Sequence, residues 1–193
     1  MILACLVFFL SLDQCLGRWA TSLDDLQDGQ EVAFFSVINE NNPSFQYMNN
    51  DYTRDSPYGN ILLGADPGCP YTGARWKLQK QGDGSFQIIT PNPNSAPYYY
   101  LFNEHQDRIS VSYLGGIPET FWDFGHISGN VWTMKSHASY SGPSNYLYAQ
   151  GRTNGIIGAS PNGGNSDQGT LWKIRLLAPL PATLAARTSS LKA

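Results

Sequence analysis

Charge is scarce in this chain. Asp, Glu, Lys and Arg make up 14% of its 193 residues, against about a quarter in ordinary soluble proteins. The basic side chains are scattered and form no cluster. A phosphate backbone is held by such clusters, so no nucleic-acid partner is expected. Long apolar runs are missing too. The longest, Ile2 to Leu12, is too short to span a bilayer as a helix, and no transmembrane segment is expected. The three histidines, His105, His126 and His137, form no HExxH pair and lie far in sequence from Cys69, so no metal site is expected. A Gly-x-Ser-x-Gly elbow is absent, as are the Walker and Rossmann glycine patterns. Carboxylates are few, and no spacing marks a glycosidase pair. These absences describe a protein with neither cofactor nor catalysis.

Cysteine is almost absent from the part of the chain that would form a domain. Residues 1–17 read as a secretory signal. An apolar run is broken by Asp13 and Gln14, and Cys15-Leu16-Gly17 places small residues where cleavage after Gly17 needs them. No Lys or Arg precedes the run, and a buried N-terminal strand is the alternative. Cleavage would remove Cys5 and Cys15 and leave Cys69 alone. The secreted protein would then have no internal disulfide, which a core of about 150 residues tolerates. Cys69 is either buried or free to join two chains as a homodimer. The chain has no usable glycosylation sequon, because Pro43 blocks Asn42-Pro43-Ser44.

What is abundant is Gly, Asn, Ser, Tyr and Pro, a composition for short strands and tight turns. The strands recur in a pattern. Trp76-Lys77-Leu78, Trp122-Asp123-Phe124 and Trp172-Lys173-Ile174 share Trp-x-apolar at separations of 46 and 50 residues. Gly-containing turns open each unit, at Asp28-Gly29-Gln30, Gly82-Asp83-Gly84 and Ser128-Gly129-Asn130. Tyr47-Met48, Tyr100-Leu101 and Tyr146-Leu147 mark a second strand. Gly59 to Ala65, Asp107 to Val111 and Asn154 to Ala159 mark a third. Period-two alternation, short length and enrichment in Ile, Val, Tyr, Phe and Trp make these strands rather than helices. Only Leu23 to Gln27, behind Ser22, suits a helical turn. Self-similarity at this period predicts one domain of repeated units.

Three units of four strands, each opening on a glycine turn and closing on Trp-x-apolar, resemble a β-trefoil of the ricin-B-type lectin superfamily. The resemblance covers Gly29 to Leu177. It implies an all-β fold with repeats at 29–81, 82–127 and 128–177. Residues 18–28 form a lead-in, and the Pro- and Ala-rich residues 178–193 a flexible tail. A four-bladed propeller or a two-sheet sandwich is the structural alternative.

The three repeat tryptophans share one strand position and are expected in the core. Trp132 faces opposite to Val131 and is expected to pack under the cap. A sugar site needs an aromatic face beside amide or carboxylate groups. The second unit offers both in Tyr98 to His105. The expected site uses Asn103, His105 and Asp107 as hydrogen-bonding groups and Tyr113 as the stacking face. Asn50 and Asp51 occupy the matching loop of the first unit. Gln150 to Asn154 of the third reads as turn chemistry. Against the ricin-type pattern, no Asp fills the acid position at Asn49-Asn50, Phe102-Asn103 or Tyr148-Ala149. The aromatic position holds Tyr113 in the second unit, but Gly64-Ala65 and Gly158-Ala159 in the others. The glutamine two before each Trp is Ala74, Thr120 or Thr170. The expected function is a secreted, extracellular, lectin-like protein that binds glycans or glycoproteins. The rivals are a protease inhibitor acting through Ala65 to Arg75 or Ser160 to Thr170, and a toxin or structural module.

Overall fold

Short alternating runs become strands throughout this chain. The computed structural model describes residues 17–51, 60–64, 74–90, 99–104, 108–138, 145–150, 156–164 and 167–178. The first unit contributes β1 (Glu31–Ser36), β2 (Tyr47–Asp51), β3 (Asn60–Gly64) and β4 (Trp76–Lys80). The second contributes β5 (Phe86–Ile89), β6 (Tyr100–Glu104), β7 (Arg108–Ser112) and β8 (Phe121–Ser128). The third contributes β9 (Val131–Ser136), β10 (Tyr146–Gln150), β11 (Ile156–Ser160) and β12 (Trp172–Leu176).

Six of these strands close on themselves. β1 pairs with β4 and β12, β5 with β4 and β8, and β9 with β8 and β12, all antiparallel. Closure satisfies backbone groups that an open sheet would leave at its edges. The other six form three hairpins, β2–β3, β6–β7 and β10–β11. β11 joins the hairpins by pairing with β3 and β7.

The threefold pattern extends to single hydrogen bonds. The partners of Trp76, Trp122 and Trp172 across the barrel are Val32, Phe86 and Trp132. All three repeat tryptophans are fully buried. Their indole N–H groups donate to the carbonyls of Met48, Leu101 and Leu147 at 3.0, 3.1 and 3.0 Å. Each ring therefore ties the end of a barrel strand to the hairpin of its own unit. Burying a side chain of this size stabilises by on the order of 4–6 kcal/mol, as an upper bound. The opening turns repeat as well: Gly29, Gly84 and Gly129 have φ of 74°, 91° and 55°, where a side chain is strained.

The far end of the barrel is closed by the lead-in. Ala20 donates its N–H to Ile174 at 2.8 Å, and Arg18 accepts from Leu176 at 2.8 Å. Residues 18–20 thus extend the sheet along an edge of β12 that β9 does not reach. Ala20 and Leu26 are fully buried. Trp132 is fully buried too, but beneath this lead-in rather than beneath the hairpin cap. Its indole donates to the Ala20 carbonyl at 3.2 Å. The helical turn expected near Ser22 is a short 3-10 turn, Leu23–Asp25. The Asp25 carboxylate accepts from Arg18 and from the N–H groups of Thr21 and Ser22. Those bonds, the Arg18 one foremost, hold its pKa far below the usual carboxylate range.

Outside the barrel, Ala33, Phe35, Tyr47 and Ala74 form a second apolar cluster with Trp19 and Leu177. The Arg175 guanidinium sits 5.0 Å from the Trp19 ring centre and 5.3 Å from that of Tyr47, a cation–π arrangement. This cluster covers the outer face of the first unit.

Candidate functional site

The hairpin of the second unit has an inner and an outer face, fixed by strand parity. Leu101 and Asn103 of β6 face Val111 and Ile109 of β7. Tyr100, Phe102 and Glu104 face Ser112, Ser110 and Arg108. Asn103 belongs to the inner set and is fully buried. Asn50 holds the equivalent place in β2, opposite Ile61, and is also fully buried. This corrects their expected role: both amides lie beneath their hairpins, where a ligand on the surface does not touch them. The equivalent residue in β10 is Ala149, opposite Ile157.

Tyr113, the expected stacking face, directly follows β7. It is 59% exposed, beside Leu114 at 48%. Tyr99, 38% exposed, is drawn to the same end of the hairpin by its N–H bond to the Ser112 carbonyl at 2.9 Å. Two tyrosine rings and a leucine thus share one end. The Glu104–Arg108 pairing closes the other end, about 13 Å away along the strands. His105 and Asp107 lie outside the described residues, in the segment that joins Glu104 to Arg108. Of the expected site, the described residues thus place Asn103 on the buried face and Tyr113 on the exposed end of the hairpin. Nothing is described of the Asp51 side chain.

Register also corrects the comparison between units. Tyr47, Tyr100 and Tyr146 pair with Gly64, Ser112 and Ser160. The counterpart of Tyr113 in the third unit is therefore Pro161, not Gly158-Ala159.

The positions two before each Trp are occupied by packing. Ala74 is buried. The Thr120 and Thr170 hydroxyls donate to the carbonyls three residues back, Ile117 and Asp167, at 2.8 and 2.7 Å. Gln87 supplies an amide from β5, donating to the Thr120 hydroxyl at 3.0 Å. Arg75, a candidate for a protease-directed side chain, is buried as well. Its guanidinium donates to the Glu31 carboxylate and, at 2.7 Å, to the Ala178 carbonyl. A residue so engaged cannot project into a protease; residues 65–73 of that loop, Cys69 among them, lie outside the described residues.

His126 packs against Trp132, ring centres 4.6 Å apart. His137 lies 2.9 Å from the Asp123 carboxylate. Asp83 stands nearby in the β4–β5 turn. The Ser85 hydroxyl and N–H donate to its carboxylate and hold its pKa below the usual range. Among the described residues no three His, Cys, Asp or Glu converge as metal ligands, and no helix is long and apolar enough to cross a membrane.

The outer face of β10 carries two more tyrosines. Tyr146 and Tyr148 are partly exposed there. Their signal in the sequence was Tyr-x-Tyr on a strand, followed by a loop with Gly163, Gly164 and Gly169.

No protein-family model matches this sequence. No curated protein matches it either. Solved structures do. The designed threefold-symmetric protein ThreeFoil superposes with a TM-score of 0.58 at 13% identity, over 76% of this chain and 99% of its own. The BEL β-trefoil gives 0.56 at 14% identity, over 78% and 95%. The fold is a β-trefoil. The chain also matches lysenin, solved in complex with phosphocholine, at a TM-score of 0.56 and 17% identity, over 79% of its length. This chain spans only 46% of that lysenin chain, and these likenesses concern the fold.

Proposed function

We propose that this trefoil is a secreted, non-catalytic carbohydrate-binding protein of the ricin-B-like kind. Its ligand face is the end of the second-unit hairpin marked by Tyr99 and Tyr113. The observation that carries the proposal is the exposure of both rings beside Leu114, in a protein whose four repeat tryptophans, Trp76, Trp122, Trp132 and Trp172, are fully buried. Exposed tyrosine supplies an apolar face for a sugar ring and a hydroxyl for its rim. Trefoils carry many unrelated functions, so the proposal rests on these residues rather than on the fold. Binding at one such shallow site is weak, and a second site or a second chain supplies avidity. A Cys69-linked homodimer is one route.

A glycan array probed with the intact protein and with Tyr113→Ala tests the reading. The second reading is a toxin module directed at a lipid headgroup. It is favoured by the match to lysenin, which has been solved both as a pore and with phosphocholine. Leakage from phosphatidylcholine vesicles, with an array that stays blank, would favour it over the lectin.

A further inference from the structure

We propose that the tip of the second unit docks on a neutral lipid bilayer, with Leu114 entering the interface and Tyr99 and Tyr113 at headgroup level. The inference goes beyond the carbohydrate reading and stands without it, although the two share Tyr113. A sugar ring laid on the tyrosines accounts for their exposure. It does not account for Leu114, which is 48% exposed and has neither a ring nor a polar group to offer a sugar.

The fold does not demand such a tip. By the hairpin register, Tyr99, Tyr113 and Leu114 correspond to Asn145, Pro161 and Asn162 of the third unit. That unit closes its hairpin with no large apolar side chain at the same place. The apolar tip is therefore a property of the second unit and not of the architecture.

Charge is missing from the chain that leads to the tip. No Asp, Glu, Lys, Arg or His falls between Asp83 and Glu104, or between Arg108 and Glu119. The Glu119 side chain is buried, and Glu104 and Arg108 pair at the opposite end of the hairpin. A charge carried beneath the headgroups is costly, and this tip carries none. The same absence sets the kind of surface. Anionic bilayers are held by clustered Lys and Arg, so a zwitterionic one is the fitting partner. Tyrosine suits the headgroup level of a bilayer, and leucine the acyl boundary just beneath it.

The backbone of the tip is prepared for that setting. Leu114 donates its N–H to the Ser112 hydroxyl at 3.0 Å. Tyr99 donates to the Ser112 carbonyl at 2.9 Å. The Thr120 N–H and hydroxyl both donate to the Ile117 carbonyl, at 2.9 and 2.8 Å. These groups find their partners in the protein and need no water. Gly115 rests on the Tyr100 ring so closely that a Cβ would overlap it. The loop is thus held in shape before contact, which lowers the ordering cost of docking. One leucine and two tyrosines make a shallow, reversible anchor.

Flotation of the full protein with phosphatidylcholine vesicles tests this. Wild type should float with the vesicles, equally at low and high salt, because no charge takes part. Leu114→Asp should reduce the bound fraction about tenfold, and Leu114→Ser by less. Position 114 is half exposed, so both variants should keep the wild-type near-ultraviolet circular dichroism. Both should also read a glycan array as wild type does. Wild type that stays off the vesicles, or Leu114→Asp that floats like wild type, overturns the bilayer contact and leaves the carbohydrate reading standing. A dimer that Leu114→Asp dissolves, without flotation, also overturns it, because the tip then covers a second copy of this chain. Flotation that is lost in Leu114→Asp, beside a blank array, upholds the bilayer contact and removes the carbohydrate reading.

Discussion

Trp132 donates its indole N–H to the carbonyl of Ala20, 112 residues away, at 3.2 Å. One buried bond thus fastens the lead-in to the barrel end that it closes. Replacing Trp132 with Phe leaves that carbonyl without its donor and a void beside Ala20. The expected cost is about 1–3 kcal/mol, read as a lower urea midpoint with an unchanged slope. Deleting residues 18–28 should cost more, because it also removes the buried Ala20 and Leu26 from the end of the barrel and uncovers the edge of β12.

The three repeat tryptophans predict a symmetry of response. Trp76→Phe, Trp122→Phe and Trp172→Phe each remove the same indole–carbonyl bond from the same place in the fold. Each should destabilise by about 1–3 kcal/mol, with the three values close together. Glycan binding should survive at temperatures where the variants remain folded. Selective loss of binding in Trp122→Phe alone would show that this tryptophan does more than pack.

Arg75 is buried against Glu31 and Ala178. Arg75→Ala leaves the Glu31 carboxylate and a backbone carbonyl without their donor. Glu31 is partly exposed, so a loss of about 1–3 kcal/mol in chemical denaturation is expected. Arg75→Ala should have no effect on glycan binding, because the pair lies in the first unit.

Asp25 gives a pH dependence with a definite sign. Its carboxyl is held below its unfolded pKa by Arg18 and by the Thr21 and Ser22 N–H groups. The folded state therefore gains from the ionised form. That gain is complete above the unfolded pKa of about 3.9 and is lost as pH falls toward the folded value. Asp25→Asn should flatten the fall in melting temperature between pH 5 and pH 2 (roughly the window set by those values). A parallel fall in variant and wild type would contradict it.

Much of the fold was legible because strand signals are local. Trp172-Lys173-Ile174-Arg175-Leu176 alternates in sequence and alternates in burial. The Trp-x-apolar repeat marked the core before any pairing was known. The site was less legible, although parity held part of the answer. Asn103 is two residues from Leu101, so it shares that buried face; its polarity argued for the surface, and the strand period prevailed. The separation of Tyr113 from the Glu104–Arg108 end of the hairpin depended on the β6–β7 register, which one sequence does not display. The closure by Ala20 and Leu26 depended on contacts with β9 and β12, more than a hundred residues along the chain. Tyr146 and Tyr148 were visible as residues, but their seats on Gly163 and Gly169 exist only once the loop returns to the hairpin.

The central claim is that exposed tyrosine on the second-unit hairpin binds sugar. Its most direct test is a glycan array probed in parallel with the wild-type protein and Tyr113→Ala, both confirmed folded by near-ultraviolet circular dichroism. The account predicts at least one glycan class bound by wild type, with affinity reduced about tenfold or more in Tyr113→Ala. A blank array at high micromolar protein, or binding indifferent to Tyr113, would contradict it.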